Sequence, residues 1–358
     1  MQFKFQKDMR ETDRKDISTL DSLISAATKI TTISHIRPDG DAVGSSIAML
    51  SFLESLGKDA CSVLPHNYPD ALSFLVTDGN RKRILIHENN PEAAEARLKE
   101  SDLIICLDFN DFSRTDMLEK TLLESGAAKI LIDHHLNPDT DKFSLVFSET
   151  EISSTAELLY QILMLLPQTG GDAGRLPALS ATALMTGMTT DTNNFANSVY
   201  PGTLLMASSL LAAGVDRDAI IENLFNSCRE ERIRLMGKML FKKMKITEDG
   251  VAYMILDRKT IMKYGIKEGE TEGFVNMPLS IADVRMSIFL KQDKDRFRVS
   301  LRSKKGTSAN LCAKRYFNGG GHELASGGRL MIPDDVRSPR EAAEYIRKVT
   351  HQFMKGNE

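Results

Sequence analysis

The chain has no tryptophan and only four cysteines in 358 residues. Cys61, Cys106, Cys228 and Cys312 lie far apart, without the paired spacing of a zinc site or a disulfide framework, and read as ordinary buried thiols in a reducing compartment. Long apolar runs are missing as well. None reaches the ~18 residues that would mark a membrane span, and the N-terminal MQFKFQKDMRETDRK is charged, without the apolar stretch of a leader. A cytoplasmic protein with no membrane attachment is expected. Nor does one charge dominate: 46 Lys and Arg face 49 Asp and Glu, a formal net charge of -3, so any grip on a polyanion must come from a local patch. Histidine is scarce, and of the seven present His66, His87 and His351 have no acidic or histidine neighbour at ligand spacing, which makes them surface or core residues. The methionines, such as Met236, Met239 and Met244, read as core filler.

Apolar residues make up 42% of the chain, enough for two ordinary cores. In the first half, strand-like runs alternate with helix-length segments: KITTISHI, Ala42 to Leu56, DACSVL, DLIICLDF, a helix, then AAKILIDHH. That rhythm predicts a parallel sheet with crossover helices. After Lys245 come VAYMIL, VRMSIFL and FRVSLR, a glycine cluster, and a terminal helix from about Ser338. The expected fold class is α/β: an N-terminal parallel-sheet domain over 1–204, a helical linker over 205–240 with no strong breaker after Gly214, and a smaller α/β domain over 241–358.

Polar residues follow the strand-like runs directly, where open parallel sheets gather their ligands. His35, Asp39 and Asp41 fall within seven residues of one another in the loop after the first run, and Asp108 ends the run Leu103 to Leu107. Asp133, His134 and His135 end the run KILI, and Asp191 follows the small-residue stretch ALSATALMTG. Each alone has a turn or cap reading as its alternative. Together, with one carboxylate bridging, they would fill two metal sites about 3.5–4 Å apart, the arrangement that activates water for phosphoryl hydrolysis. Carboxylates suit Mg or Mn, and the imidazoles tilt the choice to Mn, with Co and Fe as alternatives. Gly44 to Ser46, opening a helix, also reads as an anion-binding N-terminus.

The order His-x3-Asp-x-Asp, strand-end Asp, Asp-His-His, later Asp resembles the DHH phosphoesterase superfamily. Gly319-Gly320-Gly321-His322 with Leu324 to Gly328 resembles the signature of its DHH-associated C-terminal domain. A stand-alone chain of this length resembles the NrnA type, bifunctional oligoribonucleases and phosphoadenosine phosphate phosphatases. The resemblance implies one metal on His35, Asp39 and Asp108 and another on Asp41, Asp108, His134 and Asp191, with Asp108 bridging and catalytic. His135 would contact the scissile phosphate, Asp133 would orient an adjacent imidazole, and Arg114 would meet substrate.

A local positive field exists in the second half. Between Arg285 and Arg315 stand ten Lys or Arg against Asp293 and Asp295. Strand alternation sends Arg296, Arg298 and Arg302 to one face and Phe297, Val299 and Leu301 to the other. This stripe and Gly319, Gly320, Gly321 and His322 are the expected substrate contacts, in a cleft between domains. The expected partners are short single-stranded RNA or DNA, or nucleotide phosphates, and a homodimer is compatible with this reading. A phosphodiesterase of linear or cyclic dinucleotides shares every motif. A family II inorganic pyrophosphatase is disfavoured by the Gly-Gly-Gly-His element, and a catalytically silent nucleotide-binding regulator by the complete ligand set.

Overall fold

The computed structural model describes residues 11–356. The stretch before Glu11, on which the absence of a leader was read, lies outside them. Two compact units divide between Ser227 and Cys228.

The first unit is built on six parallel strands, β1 (Lys29–Ile33), β2 (Asp59–Leu64), β3 (Ile84–Ile86), β4 (Leu103–Leu107), β5 (Ala128–Asp133) and β6 (Leu145–Ser148), in the order β3-β2-β1-β4-β5-β6. Its helices are α1 (Glu11–Ala26), α2 (Gly40–Ser55), α3 (Pro91–Glu100), α4 (Glu119–Glu124), α5 (Thr155–Leu165), α6 (Ala178–Asp191), α7 (Pro201–Ala212) and α8 (Arg217–Ile221). A parallel sheet needs cover on both faces, and the alternation of β4 shows how it is met. Ile105 and Leu107 pack into the core formed with α2, α5 and α6, whereas Ile104 and Cys106 pack with Ala94, Leu98 and Leu122 of α3 and α4.

This strand order has one consequence for function. The chain leaves β1 toward β2 on one side and leaves β4 toward β5 on the other, so the carboxyl ends of the neighbouring strands β1 and β4 form a topological switch point, where the connecting loops part and leave a crevice.

The second unit holds α9 (Glu230–Lys238), α10 (Arg258–Tyr264), α11 (Ala309–Tyr316) and α12 (Pro339–Lys355), with β7 (Lys245–Ile246), β8 (Val251–Leu256), β9 (Met286–Gln292), β10 (Arg296–Ser303), β11 (Gly320–Gly321) and β12 (Ala325–Met331). The sheet runs β11-β12-β10-β9-β8-β7, with β8 and β9 parallel and the other pairs antiparallel. Phe297, Val299 and Leu301 of β10 pack against Cys312 of α11 and Ile346 and Phe353 of α12. Met236, Met239 and Met244 join a separate apolar cluster around Phe274 and Phe289.

Two expectations change. The stretch 205–240 is not a separate connector: Met206, Leu210 and Ile220 are buried in the first core, Leu235 and Met239 in the second, because its helices carry apolar faces that each unit absorbs. Cys228, expected to be buried, is exposed at that division, while the other three cysteines are buried.

Candidate metal centre

Three loops at the carboxyl ends of β1, β4 and β5 and the end of α6 bring together all the acidic and histidine residues singled out in the first unit. After β1 the chain turns at Arg37, in the left-handed region with φ 52°, and enters α2. The Asp39 side chain caps that helix, accepting from the N–H groups of Asp41 and Ala42 at 3.1 Å each. Helix α2 therefore begins at Gly40, and Gly44 to Ser46 lie in its second turn, fully buried. They are not an anion-binding N-terminus. A Cβ on Gly44 would stand 2.6 Å from the Ala183 carbonyl, and one on Gly187 would stand 2.9 Å from Asp41 Oδ1, so these glycines let α2 and α6 approach backbone to backbone. That approach sets where Asp191, the last residue of α6, projects.

Asp108 leaves β4 in a left-handed conformation, φ 65°, which an Asp tolerates better than most residues. Its N–H still bonds the Ile132 carbonyl at 3.1 Å, so the turn is tied to the sheet. The two oxygens of its carboxylate face different imidazoles. Oδ2 is 3.4 Å from His35 Nε2, and Oδ1 is 3.6 Å from His134 Nε2. His134 Nε2 also lies 3.4 Å from Asp191 Oδ2 and 3.9 Å from Asp41 Oδ2. His35 Nε2 lies 3.9 Å from Asp39 Oδ1. His135 turns to Asp133, with Nδ1 2.8 Å from Oδ1.

The His35 tautomer follows from its partner. Nδ1 is 2.7 Å from the Ile36 carbonyl, which can only accept, so Nδ1 carries the proton and Nε2 presents a lone pair toward Asp39 and Asp108. Burial pushes this imidazole below its ordinary value against the pull of Asp39, and the nearby charge of Arg114 acts in the same direction as burial. Arg114 is tied in by its backbone, its carbonyl accepting from Ile36 N–H at 2.9 Å.

Crowded carboxylates in a buried crevice need a cation. Burial, then Asp41, Asp39, Asp191 and Asp133, hold the Asp108 carboxyl well above its ordinary range, and burial with Asp39 lifts Asp41 to about 7. Asp191 ends a helix, where the dipole disfavours a negative charge. The buried Oδ2 of Asp133 accepts no hydrogen bond among the described residues. Ligand atoms of His35, Asp39 and Asp108 lie within 4.8 Å of one another, as do those of Asp41, Asp108 and His134, and those of Asp108, Asp133 and His135. Oxygen-rich sets with one imidazole each fit divalent cations such as Mn or Mg.

The N-terminus of α5, to which no ligand motif in the sequence points, also reaches these carboxylates. Thr155 and Ala156 donate their N–H groups to Asp41 at 2.7 and 2.9 Å, and the Thr155 hydroxyl donates to Asp108 Oδ1 at 2.9 Å. Ser-Ser-Thr-Ala-Glu before an apolar run is a helix-start signal, but nothing local shows what the helix start points at.

In the second unit Arg296, Arg298, Ser300 and Arg302 do share one face of β10. Arg298 is engaged already: both its terminal nitrogens bond the Glu268 carboxylate, which also takes Lys291 at 3.0 Å. Arg296 lies 3.2 Å from Asp295. Arg302 donates to the Leu301 carbonyl. Gly319 is glycine for packing, since a Cβ there would overlap the Gly327 carbonyl, and Gly321, at φ 144°, lies against the Ala325 carbonyl and Ser326. Gly320 is more open, with nothing nearer than Lys314 Cε at 3.7 Å from its Cβ position. His322 N–H bonds the Ala325 carbonyl, closing the turn from β11 to β12. The other histidines have their own partners: His66 Nδ1 accepts from Arg37 N–H, His87 pairs with Glu95, and His351 with Asp249.

Residues 29–188 match the DHH family, N-terminal domain, and residues 248–354 match the DHHA1 domain. The chain is 30% identical over 300 residues to a probable bifunctional oligoribonuclease and PAP phosphatase NrnA of Streptococcus mutans, covering 82% of this chain and 86% of that one. It is 26% identical over 306 residues to the bifunctional oligoribonuclease and PAP phosphatase NrnA of Bacillus subtilis, covering 84% and 89%. Among solved structures, an exopolyphosphatase-related protein from Bacteroides fragilis superimposes with a TM-score of 0.88 and 34% identity over 99% of both chains.

Proposed function

Because the chain belongs to the DHH family of phosphoesterases, with an N-terminal DHH domain and a DHHA1 domain after it, we propose that it hydrolyses very short oligonucleotides and 3′-phosphoadenosine 5′-phosphate. The observation that carries this is the Asp108 carboxylate, one of whose oxygens faces His35 at 3.4 Å and the other His134 at 3.6 Å. A single buried carboxylate between two imidazole-carboxylate groups is the donor arrangement of a two-metal site. His35, Asp39 and Asp108 would hold one ion, and Asp41, Asp108, His134 and Asp191 the other, with Mn favoured. Bound there, the ions would supply Lewis acidity toward phosphoryl oxygens and lower the pKa of a coordinated water.

The chain's own residues do the rest. Asp133 holds the His135 ring, which orients the scissile phosphate and passes a proton at the imidazole. Arg114, exposed on the short 3-10 helical segment after β4, supplies positive charge beside His35. Arg302, Gly320 and His322 of the DHHA1 domain are the candidates for contact with the remainder of the substrate. Relatives named for two small substrates, an oligoribonucleotide and a nucleotide bisphosphate, favour a short ligand over a long strand.

The test compares a dinucleotide, a five-mer, a twenty-mer, a cyclic dinucleotide and 3′-phosphoadenosine 5′-phosphate as substrates, with Mn and with chelator. Turnover that needs Mn and whose kcat/KM peaks at two to about five nucleotides is expected, with release of phosphate from the bisphosphate. A rate that climbs to the twenty-mer, or cleavage of the cyclic dinucleotide alone, would overturn the assignment.

A further inference from the structure

Resting on that dinuclear reading, we propose that Thr155 is a positioning residue that joins the two halves of the site, holding Asp41 and Asp108 in register so that both ions can be bound at once. Thr155 is fully buried and contacts both carboxylates. Its N–H donates to Asp41 Oδ2 at 2.7 Å and its hydroxyl to Asp108 Oδ1 at 2.9 Å. The second contact is the informative one. Asp108 Oδ1 is the oxygen facing His134, at 3.6 Å, while Oδ2 faces His35. A hydroxyl donated to Oδ1 fixes the rotation of the carboxylate about its own axis. Without that bond the carboxylate would lose one restraint on its rotation, and its two oxygens would no longer be held one toward His35 and one toward His134.

The residue is held from behind. Glu157, itself buried, accepts from the Ser153 hydroxyl at 2.5 Å and from the Thr203 hydroxyl of α7 at 2.6 Å, and Ser154 caps the helix by accepting from Glu157 N–H at 3.0 Å. A Cβ on Gly187 would stand 2.8 Å from the Ala156 Cβ, so α6 closes over the same turn. The first turn of α5 is thus anchored to α7 and pressed by α6, and Thr155 cannot follow a carboxylate that moves. Partners that orient a metal ligand in this way are worth roughly 10- to 100-fold in metal affinity or activity.

Thr155→Val keeps the branched shape and the backbone donor and removes only the hydroxyl. Calorimetric titration of the metal-free protein with Mn, together with kcat, KM and melting temperature, reads the effect. The expected result is a roughly 10- to 100-fold loss of affinity for one of two Mn ions, a matching fall in kcat, a KM close to wild type, and an unchanged melting temperature in chelator. Thr155→Ser should restore affinity and kcat, and Thr155→Cys, a poor donor of serine's shape, should not, which keeps the comparison informative if the valine variant does not fold. Equal behaviour of the serine and cysteine variants would show that Thr155 packs and does not position. Two Mn bound by the valine variant as tightly as by wild type would also sink the proposal. Failure of wild type itself to bind two Mn ions would instead overturn the dinuclear reading beneath it.

Discussion

His135 Nδ1 lies 2.8 Å from the Oδ1 of Asp133, whose carboxylate is fully buried at the end of β5. The ring is oriented by a residue that stands two positions earlier in the chain. Asp133→Asn keeps the shape and removes the carboxylate acceptor beside Nδ1, and the amide can present its NH2 there instead and turn the ring's tautomer. A fall in kcat of roughly 10- to 100-fold is expected, with a smaller change in KM. Steady-state kinetics in saturating Mn measure it. Wild-type kcat in this variant would remove His135 from the catalytic group.

The same strand end shows what the chain's text reveals and what it hides. β1, β2, β4 and β5 were legible because each is a strand-like run of five or six residues set between helix-length segments, and at the ends of β1, β4 and β5 the ligands announce themselves as polar residues after a buried stretch. β3 and β6 were missed, being three and four residues long, too short for alternation to register. β12 was hidden because ASGGRLM reads as glycine-rich turn rather than strand. Thr155 was hidden for a different reason: its partners are 114 and 47 residues away, so only the folded sheet brings them to it. The Arg298 ion pair was hidden likewise, since its alternation was legible while its partner Glu268 stands thirty residues back in a loop.

Asp41 makes the site's charge measurable as a pH dependence. Burial and Asp39 raise its carboxyl from 3.8 to about 7, so the folded, metal-free chain keeps a proton that the unfolded chain releases. The stability contributed by that protonated carboxyl is fully present below 3.8 and is lost as pH rises through about 7. In chelator, Asp41→Asn should therefore melt above wild type at pH 8, with the gap closing as pH falls toward 4, each kcal/mol being worth about 2–4 °C in a domain of this size. Adding Mn should reverse the order at pH 8, because only wild type offers the carboxylate. Thermal melts at four pH values, with and without Mn, provide the check. A gap independent of pH would mean that the Asp41 carboxyl titrates alike in the folded and the unfolded chain, and that its surroundings do not hold the proton.

The basic face shared by β10 and β12 holds one arginine paired within the unit and another, across the register, with no ion pair among the described residues. Arg298 is held by Glu268, whose carboxyl that arginine keeps down at about 2, and Lys291 completes the cluster. Its charge is spent inside the unit. Opposite Arg298 in the antiparallel register stands Arg329 of β12, exposed and without an ion pair among the described residues. Arg302 lies two pairs along the same face. Counterion release makes the salt dependence of binding a count of the phosphates that protein cations neutralise. Arg302→Ala and Arg329→Ala should each weaken oligonucleotide binding and lower the slope of log affinity against log salt by roughly one. Arg298→Ala should leave that slope unchanged and instead lower the melting temperature slightly, since a half-exposed ion pair is worth about 1 kcal/mol or less. Binding of a five-mer at four salt concentrations, in chelator to prevent turnover, distinguishes these outcomes. If Arg298→Ala lowers the slope as much as the other two, Glu268 gives way to the ligand and the whole stripe meets phosphate; if none of the three changes it, the face of β10 is a solvated surface and the phosphates are bound elsewhere.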